Sequence, residues 1–207
     1  MHKKAIANKI IKNSEPTDAE CILAAQTGDD RAFGMLVSRY QKKVAKVVFG
    51  MLGNIDTAED IGQEVFIRFY KSLDSFRGEA QLGTYLTRIA INLSLNEIKR
   101  RKRRNFFSFS AKNDKADIEF SEAVDENRAG DIKDLVNHAL KKLNPDFRSV
   151  VILRLIEGYS TKETADILKL KTGTVLSRLA RAQEKLKVIL KNMAFLFLFL
   201  HILNLFC

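Results

Sequence analysis

Apolar residues recur at every third or fourth position through most of the chain and strict alternation is absent, a pattern that predicts helices and no sheet. Thr17 with Glu20 three residues later forms a capping-box pattern that opens a short helix over about 18–27, with Gly28 as its stop. Leu36, Tyr40, Val44, Val47, Val48 and Met51 then mark one face of a long amphipathic helix ending near Gly53. Asp56, with Glu59 at the third helical position, predicts the cap of the next helix, whose buried stripe is Ile61, Val65, Phe66, Phe69 and Leu73. A Phe76-Arg77-Gly78 turn leads to a fourth helix with Leu82, Leu86, Ile89, Leu93 and Ile98 inside. That helix runs into Lys99-Arg100-Arg101-Lys102-Arg103-Arg104, six consecutive cations.

The pattern then breaks. Residues 111–131 hold seven acids and three cations with no helical period, which reads as a flexible acidic linker placed over 106–129. Ile132, Leu135, Val136, Ala139, Leu140 and Leu143 restart the period. Asn144 caps a further helix with Pro145 at its first position, where the missing N–H costs nothing, and Gly158 ends it. The expected fold class is all-α: two small helical domains, 15–105 and 130–191, joined by the linker and followed by a hydrophobic tail, 192–207.

Residues 158–187 read as a helix-turn-helix. Ser160 and Glu163 form a capping box for its first helix. In the second helix Val175, Leu179, Ala182 and Leu186 share a face that must be buried, and Thr174, Ser177, Arg178 and Arg181 share the other. Small hydroxyls and guanidinium forks on the solvent face of a second helix suit a major groove, where they meet base edges and phosphates.

Charge sharpens the picture. Lys and Arg number 35 against 25 acids, and the net charge of +10 points to a polyanionic partner. The run at 99–104 is followed by Phe106 and Phe107 and preceded in the same helix by Tyr85; cations that track a backbone and aromatics that stack on bases are the ingredients of single-strand binding, although Tyr85 serves a core equally well. Asp56, Glu59, Asp60, Gln63 and Glu64 lie opposite the stripe of their helix, an arrangement that solvation alone explains. No His, Ser or Cys accompanies them in a pattern for acid–base or metal chemistry, so no catalysis is expected. Cys21 and Cys207 make no disulfide framework, and His2, His138 and His201 form no ligand cluster with them, so no metal or cofactor is expected. Residues 1–13 carry no secretory apolar segment, and a cytoplasmic protein is expected. The apolar tail from Met193 to Cys207 is about 22 Å long as a helix, short of a bilayer core of roughly 30 Å. It reads as a membrane anchor, a partner-covered segment or an incidental extension of the reading frame.

Taken together these pieces resemble one family, the extracytoplasmic-function (ECF) group of bacterial RNA polymerase sigma factors. The stretch Asp56-Thr-Ala-Glu-Asp-Ile-Gly-Gln-Glu-Val-Phe-Ile-Arg-Phe-Tyr70 resembles the family's region 2.2, which implies that Asp56, Glu59, Asp60, Gln63 and Glu64 grip the polymerase β′ subunit. Phe76-Arg77-Gly78, Thr84-Tyr85-Leu86 and Arg88-Ile-Ala-Ile-Asn92 resemble the segment that melts the −10 element. The resemblance implies −10 contacts for Arg77, Tyr85, Arg88, Asn92, Arg100 and Arg101, with Asn92 at a flipped base. Leu143-Asn-Pro-Asp-Phe-Arg-Ser-Val-Val and the helix-turn-helix resemble region 4, which implies −35 contacts for Thr172, Thr174, Ser177, Arg178 and Arg181. The implied partners are core polymerase through its β′ and β subunits, promoter DNA, and an anti-sigma factor. Departures stand out: Tyr85 where the family has Trp, Leu82-Gly83 where it has an aromatic, Lys169 for the turn Gly, Lys171 for the Ser cap with Thr172 as substitute, and Leu176 for a cation. The competing reading is a helix-turn-helix regulator that never docks on polymerase; it leaves the acidic face and the basic helix without a use.

Overall fold

The computed structural model describes residues 15–78, 81–110 and 132–205, with side chains described to 106 in the second stretch and over 135–193 in the third. All regular structure among the described residues is helical: α1 (Asp18–Gln26), α2 (Asp30–Leu52), α3 (Ile55–Lys71), α4 (Leu82–Ser110), α5 (Ile132–Lys142), α6 (Pro145–Val151), α7 (Thr161–Leu168) and α8 (Thr172–Leu205), with a 3-10 turn at Leu73–Ser75 and a π turn at Ile152–Ile156.

Local chemistry sets most helix ends. The expected capping box forms at Thr17 and Glu20. Asp29 caps α2, and Gly53 closes it in the left-handed region at φ 69°. The cap of α3 departs from expectation. Asn54, not Asp56, occupies it, and its side chain accepts from Thr57 N at 2.9 Å. Asp56 thus sits inside the first turn, where a carboxylate still favours the positive end of the helix dipole. Asn144 accepts from Asp146 N at 3.0 Å with Pro145 behind it, as the sequence predicts. α4 continues to Ser110, past the point where composition placed the start of the linker. The acidic stretch 111–131 lies outside the described residues.

The first unit, α1–α4, buries Leu36, Val44, Val47, Val48, Met51, Val65, Phe69, Leu73, Leu86 and Ile91 in one cluster. The expected stripes supply all of these but Ile91, while Cys21, Ala25, Ala32, Leu52, Ala58 and Ala90 join it from outside them. Ile89 and Ile98, expected inside, are only partly buried. Phe69 is its centre, with the rings of Phe33 stacked at 5.8 Å and of Phe76 and Tyr85 edge-on at 5.7 and 6.0 Å. The second unit is built differently. Leu140, Leu143, Val151 and Ala182 form one small cluster, and Val150, Ala165 and Val175 another. Val136, expected in the stripe of α5, is exposed, because the helix turns only Ala139, Leu140 and Leu143 fully inward.

Ile152, Leu153, Tyr159 and Ile167 of the second unit join the core of the first. Around this junction Tyr159 Oη lies 2.9 Å from Thr87 Oγ1 in a buried hydrogen bond, and Lys43 Nζ stands over the Tyr159 ring. Lys46 pairs with Glu157 at 3.2 Å. The buried Arg148 guanidinium donates to the Met51 carbonyl at the end of α2 and to Lys141 and Leu143 carbonyls in its own unit. Two units that the sequence reads as separate domains on a tether therefore pack as one body. Among the described residues no helix is long and apolar enough to cross a membrane.

Candidate nucleic-acid interface

Three surfaces carry the residues singled out from the sequence. On α3, Asp56, Glu59, Asp60 and Gln63 are exposed on one face, and Glu64 is half-buried, held by Arg68 at 2.8 Å one turn on. The face does not end with the acids. Ile67 and Tyr70 are 47% and 53% exposed and continue it at helical spacing from Gln63. Periodicity missed both, because each lies beside a residue of the buried stripe and an apolar residue there reads as core.

On α4 the expected residues form a strip. Arg88, Asn92 and Arg100 lie at four- and eight-residue intervals along one side, with Asn96 exposed between them, a member that the sequence reading left out. Tyr85 is part of the aromatic cluster: its hydroxyl is 3.0 Å from Ser72 Oγ, and Arg88 stacks over its outer face at 5.2 Å. It is half-buried, so one side packs on Phe69 and Phe76 while the edge reaches the strip. Arg77 is exposed on the loop before α4. That loop is anchored by Gln26, whose side chain donates to the carbonyls of Leu73 and Phe76 at 2.8 and 3.3 Å.

A buried acid on the same helix orders part of the cationic run. Glu97, only 7% exposed, receives Arg100 at 2.7 Å and Arg101 at 2.9 Å. The Arg100 guanidinium, ahead of the other influences, holds the Glu97 carboxyl below the ordinary carboxylate range despite its burial. Arg101 also donates to Thr57 Oγ1 in the first turn of α3, joining the cationic run to the start of the acidic helix. Lys99, Lys102, Arg103 and Arg104 face solvent.

The helix-turn-helix has the predicted outline. Its capping box forms, with Glu163 N to Ser160 Oγ at 3.2 Å and Ser160 N to Glu163 Oε2 at 2.8 Å. Lys169 adopts the left-handed conformation at φ 54°, the one non-glycine residue with positive φ among the described residues. Thr172 does not take over the cap as expected. It is the first residue of α8, and the Lys171 carbonyl accepts from Thr174 N and Val175 N. Val175 and Ala182 are fully buried and Leu179 and Leu186 partly so. The outward side is rotated from the one read in the sequence. Thr172, Ser177 and Arg181 are exposed, Thr174 is half-buried, and Arg178 turns aside to pair with Asp146 at 3.1 Å. Leu176 and Ala180 stand exposed in the middle of the face instead.

The Sigma-70 region 2 family profile matches residues 36–104, and the Sigma-70 region 4 profile matches 133–186. The chain is 33% identical over 178 residues to the RNA polymerase sigma-H factor of Pseudomonas aeruginosa, covering 83% of this chain and 92% of that one. It is 31% identical to the ECF RNA polymerase sigma factor SigW of Bacillus subtilis, covering 83% and 96%. Among solved structures, CnrH in complex with the cytosolic domain of CnrY is similar at a TM-score of 0.61 and 25% identity, over 84% of this chain and 97% of that one.

Proposed function

Since the chain belongs to the RNA polymerase sigma factors, in their extracytoplasmic-function group, we propose that α3 is its polymerase-docking helix, α4 its −10 reader and α8 its −35 reader. A sigma factor binds core polymerase and directs it to promoters for initiation, and the surfaces above divide that work. The observation that carries the division is the pairing, within one unit, of an exposed acidic face on α3 with a cationic strip on α4, tied together through Arg101 and Thr57. A regulator that never meets polymerase has no use for the first of these.

Asp56, Glu59, Asp60 and Gln63 supply charge complementarity for core polymerase, and Ile67 and Tyr70 supply the apolar anchors that carry most of the energy of an interface. On α4, Arg88, Asn92, Asn96 and Arg100 follow a melted strand, with Tyr85 at its head as a stacking edge and Asn92 facing an unstacked base. Arg77 and Arg101 flank that path, Arg101 largely as a brace. In the second unit Thr172, Thr174, Ser177 and Arg181 meet the duplex. Arg178 turns aside to Asp146, and Arg181 is the free arginine of the pair. Reading two separated promoter elements at once needs the two units to part, and the chain between Ser110 and Ile132, fully extended, reaches on the order of 70 Å. The protein acts where polymerase and DNA are, in the cytoplasm. A partner of the anti-sigma kind binds the closed pair of units; the relative CnrH is seen in complex with the cytosolic domain of CnrY.

The test uses core polymerase and the double variant Asp60→Ala/Gln63→Ala. Both residues are exposed and make no packing contact that the fold needs, so thermal unfolding stays within about 0.5 kcal/mol of the parent while core binding and run-off transcription fall together. Undiminished core binding by the folded variant overturns the docking assignment.

A further inference from the structure

The outward face of α8 holds an apolar row where a recognition helix is expected to be polar. Leu176 is 55% exposed and Ala180, one turn on, is exposed beside it. Ser177 and Arg181 form the adjoining row at the same spacing. Among the described residues Leu176 joins no core cluster: the one beneath this part of the helix is Val150, Ala165 and Val175. Isolated exposed leucines are ordinary on protein surfaces, but this one occupies the centre of the face between Thr172 and Arg181.

A second observation comes from the first turn. Gly173 is helical and exposed, and a Cβ built there meets no atom within 4 Å. Glycine is disfavoured in a helix relative to alanine, and no contact among the described residues asks for it. A bare backbone at the leading edge of the helix leaves room for a close-approaching partner. Exposed Lys169 and Lys171 beside it match a phosphate backbone in charge. The third observation is that Arg178 is occupied by Asp146, which leaves Ser177 and Arg181 as the polar readers of the central face.

The major groove offers an apolar row one natural target, the C5-methyl group of thymine. We propose that Leu176 and Ala180 form a methyl-reading strip that selects a thymine in the −35 duplex, next to the base or phosphate met by Arg181. Where a lysine or arginine at position 176 would favour guanine, this chain favours a T·A pair. The assignment rests on α8 being the −35 reader and adds the base that its centre selects.

The probe is DNA, read first with the parent chain and then with two variants. The full chain bound to core polymerase selects duplexes from a random pool, and each thymine of the selected −35 element is replaced in turn by deoxyuridine, which removes the methyl and leaves the pairing and every hydrogen-bonding group. One replacement is expected to weaken binding about fourfold, the value of one buried carbon, with the others near neutral. In Leu176→Ala, which folds normally because the side chain is more than half exposed and belongs to no core cluster, that sensitivity disappears. In Leu176→Lys a fresh selection moves the same position toward guanine. Equal affinity for thymine and deoxyuridine at every position overturns the inference, as does a −35 element without thymine, or a loss that persists undiminished in Leu176→Ala. Failure to select any −35 element overturns the reading of α8 itself, which is a different result.

Discussion

The two units bury their apolar residues by different means. The first closes a single cluster around Phe69 from four helices, and every long side chain in it meets others from its own unit. The second holds two small clusters and sends Ile152, Leu153, Tyr159 and Ile167 across to its neighbour. A unit of this size buries a small share of its surface alone and is correspondingly marginal. The contrast teaches that the second unit gains stability from docking, and that Ile152, Leu153, Tyr159 and Ile167 hold the two units together.

The largest expected effect tests the self-sufficient unit. Phe69→Ala removes a fully buried ring and should cost about 3–5 kcal/mol, read by denaturant unfolding. The loss should appear in hydrogen exchange of α2–α4 and of the docked π turn together. Leu153→Ala comes next, at about 2–5 kcal/mol. Here exchange should accelerate most in α7 and the first turns of α8, while α2–α4 keep their protection. Equal protection throughout would mean that the second unit stands without its neighbour, and the contrast would collapse.

Smaller changes sharpen the comparison within the helix-turn-helix. Lys169 stands in a left-handed conformation that costs a side chain roughly 1–2 kcal/mol, so Lys169→Gly should raise the melting temperature. Lys171→Ser places a side-chain acceptor at the start of α8 and should add about 1 kcal/mol. Neither alters the first unit, so a gain confined to α7 and α8 is the expected exchange pattern.

The smallest effect concerns pH. Glu97 has a carboxyl held below its ordinary value, chiefly by Arg100, so its contribution is complete above the ordinary carboxylate range and is lost as the pH falls through the depressed value. Glu97→Gln should flatten that part of the acid-stability curve. Because Arg100 then loses its anchor and Arg101 one of its partners, single-strand affinity should fall modestly at neutral pH as well. An acid-stability curve superimposable on the parent's would remove Glu97 from its bracing role.

Helix positions, both capping boxes, the Asn144 cap and the helix-turn-helix outline were legible in the sequence, because each rests on groups within one or two turns and on a 3.6-residue period. The cap at Asn54 instead of Asp56 was misread because two good capping residues stand two positions apart, and only the backbone direction entering α3 chooses between them. The acidic face of α3 and the cationic strip of α4 were equally legible, while Ile67, Tyr70 and Leu176 were not, since hydrophobicity alone does not say which side of a helix a neighbour covers. What tertiary structure alone decided is long-range: Arg101 bridging Glu97 and Thr57, Arg178 drawn to Asp146, and Tyr159 inserted beside Thr87. These pairs are distant in sequence or set by how one helix crosses another, and periodicity within a segment carries no information about which segment lies against it.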